Sequence, residues 1–136
     1  MAAIIIDGKE ISAATREKLK LQIAELGAKG IRPGLAVIIV GEDPASQVYV
    51  RNKVKACADT GIYSEKHEVP ATISEEDLLD LIHRLNNKED IHGILVQLPL
   101  PKHINSDRVL ETISETKDVD GFHLYNVGAL VTGNTI

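Results

Sequence analysis

The sequence predicts an α/β fold: a three-layer βαβ domain with a mainly parallel sheet flanked by helices. Strand-like apolar runs alternate with segments of helical periodicity along the chain. Leu35-Ala36-Val37-Ile38-Ile39-Val40 is an unbroken apolar run, and such a strand needs cover on both faces, as in a parallel sheet packed between helices. Each transition is punctuated by Gly, Pro or Asp, so strand and helix ends are marked locally.

In chain order, Ile11 to Ala28 carries apolar residues at Ile11, Ala14, Leu19, Ile23 and Leu26, a helical spacing that Gly27 or Gly30 can end. The first strand, Leu35 to Val40, is broken by Gly41-Glu42-Asp43-Pro44. Asp43 before Pro44 is a good N-cap followed by an N1 proline, predicting a second helix that runs to about Thr60 and stops at Gly61. Ile62 to Val69 reads as a strand with one polar face, placed nearer a sheet edge. Ser74-Glu75-Glu76-Asp77 opens a third helix with an acidic first turn, and Leu78, Leu79, Leu81, Ile82 and Leu85 form its inward stripe. Gly93 to Leu98 is the third strand, apolar until Gln97 and ended by Pro99 and Pro101. Ser106 to Ile113 predicts a short helix, and Lys117 to Gly121 a loop or short strand. Strands alternating with helices imply right-handed crossovers.

A length of 136 residues suits one compact domain, and 43% apolar with 26% charged residues is the composition of a soluble globular protein. The net charge of −5 argues against nucleic acid or an anionic membrane as partner. No segment reaches membrane-spanning length, and the N-terminus lacks the basic and cleavage features of a signal peptide. The lone cysteine, Cys57, excludes an internal disulfide and reads as a small buried residue; a cytoplasmic setting is expected. The five histidines are scattered without the close pairing of a zinc site, so no metal is expected.

The chemistry concentrates on the second helix. Tyr49 and Lys53 are four residues apart and Ser46 precedes Tyr49 by three, so a hydroxyl, a phenol and an amine share one face, the last two ~6 Å apart along the axis. In parallel α/β sheets ligands sit beyond the carboxyl ends of the strands. Ser46, Tyr49 and Lys53 enter that rim from the first strand, and Gln97 from the third. Each residue has a plainer reading on its own. Tyr49 and Lys53 form an ordinary ring beneath a snorkelling amine, Gln97 satisfies loop backbone groups, and Asp118 and Asp120 are turn residues.

Taken together and in order, Ser46 to Ala56, Gly93-Ile94-Leu95-Val96-Gln97-Leu98-Pro99-Leu100-Pro101 and Lys117-Asp118-Val119-Asp120-Gly121-Phe122-His123 resemble the methylene-tetrahydrofolate dehydrogenase/methenyl-tetrahydrofolate cyclohydrolase family. Ile6-Asp7-Gly8-Lys9 and Pro33-Gly34-Leu35-Ala36 are similar to it too, so the likeness covers the whole chain. The resemblance implies that Lys53 is the catalytic lysine, with Tyr49, Gln97 and Asp120 beside it in the catalytic set. Tyr49 packs on the folate, Gln97 hydrogen-bonds the lysine, and Asp120 anchors the pterin. Ser46, Leu98 and Pro99 complete the substrate-binding positions. The implied reaction is oxidation of the methylene bridge by hydride loss to NADP, then hydrolysis of the methenyl cation to the formyl compound.

One departure stands out. Family members are roughly twice as long and carry a second, Rossmann-type domain for NADP, and no glycine-rich phosphate loop occurs here. Residues 1–136 are therefore expected to be the folate-binding catalytic domain alone, with no cofactor-binding residue of their own. Dehydrogenase activity is expected to be absent and cyclohydrolase activity weak or lost. The resemblance implies a homodimer for the full-length family. A different class of reading is a folate-binding or interaction module without turnover, which Lys53→Met separates from the enzyme. A third takes Tyr49-x-x-x-Lys53 as a short-chain dehydrogenase pair, but that needs a glycine-rich loop near the N-terminus, which Ala2 to Gly8 does not offer.

Overall fold

Strand β1 (Gly34–Val40) is paired on both sides, and its composition explains why. Val37, Ile38 and Ile39 are all but completely buried, so neither face of the strand can be polar. The computed structural model describes residues 2–135. In them the chain runs α1 (Gly8–Ala28), β1, α2 (Pro44–Thr60), β2 (Tyr63–Val69), α3 (Glu75–Asn86), β3 (Gly93–Val96), α4 (Ser106–Thr112) and α5 (Leu124–Thr132). The strands form a parallel sheet in the order β2-β1-β3. Ile38 pairs with His67 on one side and Val96 on the other.

The two sheet faces are covered separately, giving the expected three layers. On one face Ala36, Ile38, Val40, Ile94 and Val96 meet Leu78, Leu81, Ile82 and Leu85 of α3, with Val109 of α4 and Ile113 just after it. On the other, Val37, Ile39 and Leu95 meet Val50 of α2, with Leu35 and Val54 half-buried at the margin. Burying each fully covered Val, Leu or Ile side chain among these contributes about 1.5–3 kcal/mol relative to exposure.

Local signals set the helix ends. Asp43 accepts from the Ser46 backbone N–H at 2.8 Å with Pro44 in the first turn, and Gly61 closes α2 in the left-handed region at φ +92°. Ser74 caps α3 through the Asp77 N–H at 3.1 Å. Two glycines are required by close approach. A Cβ on Gly34 would lie 1.9 Å from the Asp90 carbonyl oxygen, and one on Gly93 would lie 2.5 Å from Val119 Cγ1.

The structure differs from the sequence reading in three places. Helix α1 starts at Gly8, capped by Asp7, and none of its residues is buried. Ile11, with 53% of its surface open, does not form the inward face its spacing suggests. Strand β3 ends at Val96 rather than Leu98, although the Gln97 N–H still donates to the Ile38 carbonyl at 2.9 Å. Helix α5 was not predicted at all. The polar-faced β2 does lie at an edge, and Lys117 to Gly121 contributes a single parallel bridge between Ile94 and Asp118. No described helix is long and apolar enough to cross a membrane.

Candidate functional site

The order β2-β1-β3 creates a switch point between β1 and β3. The chain leaves β1 for α2 on one face, and leaves β3 for α4 on the other, so the connections from the carboxyl ends of two adjacent strands part to opposite faces, the topology beside which ligands bind in open α/β sheets. Helix α2 starts from this rim. Val50, buried against the sheet, fixes the helix rotation, and this leaves Lys53 half-buried and Tyr49 with 59% of its surface open.

Lys53 and Gln97 meet here. The Lys53 Nζ donates to Gln97 Oε1 at 2.8 Å, across 44 residues of sequence. Gln97 Nε2 in turn donates to the Leu98 carbonyl at 3.0 Å. These partners fix the amide orientation, because the reverse would set the ammonium against an NH2 group and the Leu98 carbonyl against an oxygen.

Asp120 arrives by a different route. Asp118 makes a single parallel bridge to Ile94 of β3, where the Ile94 N–H donates to the Lys117 carbonyl at 2.7 Å, and the chain then turns through Val119 and Asp120. The Asp120 carboxyl is held above the usual carboxylate range, mainly by partial burial. The Lys53 charge opposes that shift and the Asp118 charge adds to it. Although its carboxyl is partly desolvated, the residue as a whole keeps an open face to solvent. Asp120 thus senses Lys53, yet among the described residues the two form no ion pair within 4.0 Å and Asp120 accepts no protein hydrogen bond.

Ser46 is buried at the start of α2, where its backbone N–H and hydroxyl hold the Asp43 carboxyl below its ordinary value. Its evident work is capping. Leu98 is half-buried and orients Gln97 through its carbonyl, and the cis-linked Pro99 beside it is exposed. Cys57 is buried on α2 and burial pushes its thiol up, which suits the packing role expected of it. Among the described residues no group of three His, Cys, Asp or Glu is placed to hold a metal ion.

Asp118, Asn126 and Lys117 are structural partners of the site that sequence reasoning missed. Asp118 accepts from the His123 N–H and from Asn126 Nδ2, both at 2.9 Å. Lys117 Nζ donates to the Leu85 carbonyl in the last turn of α3 at 3.2 Å and to the Lys88 carbonyl just beyond the helix at 2.9 Å. The acid-rich 117–121 segment was the available signal, but a side chain bonding eight residues ahead to an unpredicted helix is not legible from spacing.

The turn from β1 into α2 does not suit a dinucleotide. Its helix N-terminus, where a pyrophosphate would sit, is already taken by the Asp43 carboxylate.

Comparison with known proteins bears on the whole chain. Residues 6–120 match the model of the tetrahydrofolate dehydrogenase/cyclohydrolase catalytic domain. The chain is 58% identical over 136 residues to the bifunctional protein FolD of Nitrosospira multiformis, covering 100% of this chain and 47% of that protein. It superposes on the crystal structure of the Campylobacter jejuni bifunctional FolD methylenetetrahydrofolate dehydrogenase/cyclohydrolase with a TM-score of 0.95 at 51% identity, covering 97% of this chain and 47% of the other. It also superposes on the Trypanosoma brucei methylenetetrahydrofolate dehydrogenase-cyclohydrolase, solved with NADP and an inhibitor. There the TM-score is 0.93 at 40% identity, covering 100% of this chain and 47% of the other. The chain spans about half the length of the relatives it matches.

Proposed function

Because the chain belongs to the tetrahydrofolate dehydrogenase/cyclohydrolase family, we propose that residues 1–136 are its folate-binding catalytic domain and that Lys53 is the proton-transfer residue. The observation that carries this reading is the Lys53 to Gln97 hydrogen bond at the strand switch point, with Asp120 close enough for its carboxyl to be influenced by the Lys53 charge.

The chemistry follows from charge. The methenyl carbon carries delocalised positive charge, so water attacks it and a proton must leave; an unprotonated amine beside it can take that proton. Gln97 is a neutral partner that aims the amine without adding a charge that would hold its proton in place. The Asp120 carboxylate, free of protein donors, is suited to accept two parallel hydrogen bonds from the amino and ring N–H groups of a pterin. Tyr49, open to solvent, offers a flat amphipathic wall to the aromatic part of the ligand.

The dehydrogenase half-reaction delivers a hydride to NADP, the cofactor of the Trypanosoma brucei relative. The β1–α2 turn of this chain does not fit that group, since Asp43 occupies the helix end that a phosphate would need there. On this reading the chain alone oxidises no methylene-tetrahydrofolate, hydrolyses the methenyl compound weakly or not at all, and holds folate less tightly than its longer relatives.

Calorimetry with methenyl-tetrahydrofolate tests the assignment. The chain should bind it, Lys53→Met should retain binding, and Asp120→Ala should weaken it at least tenfold. Any hydrolysis the chain performs should fall by roughly 10²–10⁴-fold in Lys53→Met. Unaltered binding in Asp120→Ala, or unaltered hydrolysis in Lys53→Met, would remove the basis for these roles.

A further inference from the structure

The Asp120 carboxylate accepts nothing from the described protein, yet the backbone on both sides of it is held. Before it, the Lys117 ammonium is tied to the Leu85 carbonyl of α3 and the Lys88 carbonyl just after that helix, and the Lys117 carbonyl is bonded to β3. At Val119 the chain presses onto Gly93 so closely that no Cβ fits beneath it. After it, Gly121 turns the chain at φ +70°, and the segment is then closed by Asp118. One oxygen of Asp118 accepts both the His123 N–H and Asn126 Nδ2, and the same Asn126 nitrogen donates to the Glu115 carbonyl at 2.9 Å. Asn126 lies on α5, so a single amide ties that helix, which follows Asp120, to Glu115 and Asp118, which precede it.

We propose that Asp118 and Asn126 are positioning residues, a clamp that holds the turn carrying Asp120 in one preset conformation for ligand binding. The proposal rests on the folate reading of Lys53, Gln97 and Asp120. Neither side chain is assigned a contact with substrate; both act through Asp120. A preset acceptor costs little ordering when the ligand arrives, and misplacing a binding group by about 1 Å costs up to ~100-fold.

Geometry and charge can be separated by two substitutions. Asn126→Ala removes the donor and leaves every charge in place. Asp118→Asn keeps an oxygen for the His123 and Asn126 donors and removes the charge. The charged groups acting on Asp120 are Lys53 from α2 and Asp118 in its own turn. Gln97 just after β3 is neutral; of the other titratable groups in this segment, Lys117 directs its ammonium at the Leu85 and Lys88 carbonyls, and His123 at the start of α5 directs its ring Nδ1 at the Tyr125 N–H.

The experiment follows the Asp120 carboxyl titration by carbon NMR, amide hydrogen exchange over residues 118–123, and methenyl-tetrahydrofolate affinity by calorimetry. In Asp118→Asn the Asp120 midpoint should move down with exchange little changed. In Asn126→Ala exchange over the turn should rise at least tenfold and affinity should fall roughly tenfold, while the thermal midpoint moves little. A purely structural role would lower thermal stability and leave the Asp120 midpoint in place. Unchanged exchange and affinity in Asn126→Ala would overturn the clamp. Should the unsubstituted chain fail to bind the folate, the reading of the site fails, and the carboxyl titration and exchange still decide the clamp.

Discussion

The two faces of the sheet are built to different depths. The face under α3 and α4 buries a continuous cluster that includes Leu78, Ile82, Leu85, Ile91, Val109 and Ile113 against β1 and β3. The face under α2 has Val50 against Val37, Ile39 and Leu95, with Leu35 and Val54 only partly covered. Every polar side chain argued to do chemistry from a helix is carried by the shallower face. Lys53 and Tyr49 need reach and exposure, which a helix sunk in a deep core could not give them. The deep face supplies rigidity instead, and holds β3 where it can deliver Gln97.

Truncation on each side tests that division. Leu78→Ala empties a completely buried site and should cost about 2–5 kcal/mol. Val50→Ala removes two methyl groups from the shallow face and should cost less, roughly 1.5–2 kcal/mol. Urea midpoints give the ranking. Folate affinity, measured well below either midpoint, should show the opposite order, because Val50 sets the rotation of the helix that bears Lys53. Equal losses of affinity would mean that the faces do not divide stability from function in this way.

A glycine tests where the deep face meets the site. Gly93 lies at the start of β3, and a methyl group there would strike Val119 at 2.5 Å. Gly93→Ala should therefore cost about 1–3 kcal/mol through overpacking and, by lifting residues 117–121 off the strand, weaken folate binding as well. Thermal unfolding and calorimetry on the same sample measure both. Loss of stability without loss of affinity would show that Asp120 keeps its place independently of the strand beneath it.

The parts of the molecule readable from sequence are those in which one local pattern decides one local structure. The apolar run of β1 announced a strand covered twice, Asp43-Pro44 announced the start of α2, and the stripe Leu78, Leu81, Ile82, Leu85 announced the inward side of α3. The meeting of Lys53 with Gln97 followed from strand ends gathering on one rim, a rule of topology rather than of residues. What was misread depends on partners elsewhere. Helix α1 has helical spacing but no buried side chain, because periodicity reports which face could be covered and not what covers it. Helix α5 is apolar nearly all round, carries Gly128 mid-length, and is capped by the His123 ring, so neither periodicity nor a usual cap residue marked it. Asp118 looked like a turn residue because its partner Asn126 lies on that unread helix.

The frame and the site also differ in what they do with a carboxyl group, and pH separates them. Asp43 belongs to the frame: the Ser46 N–H and hydroxyl lower its pKa, so its contribution is present at neutral pH and is lost as pH falls through that lowered value. Asp120 belongs to the site and has the opposite sign, being raised chiefly by burial. Below about pH 4, the ordinary aspartate value, folded and unfolded chains both hold the proton and the group is neutral in its effect. Above that, the unfolded chain ionises first, and from the folded midpoint upward the partly buried carboxylate is a standing cost to the fold. Asp120→Asn should consequently raise the thermal midpoint slightly at pH 7, with the gain vanishing toward pH 4, while folate binding is lost. Lys53 offsets part of the cost, so Lys53→Met should deepen it and enlarge the gain from Asp120→Asn. Thermal midpoints between pH 3.5 and 7.5 for the single and double variants measure this. A gain that persisted unchanged at the acid end would mean that the benefit of the amide is packing, and that Asp120 is not held at a cost for the ligand.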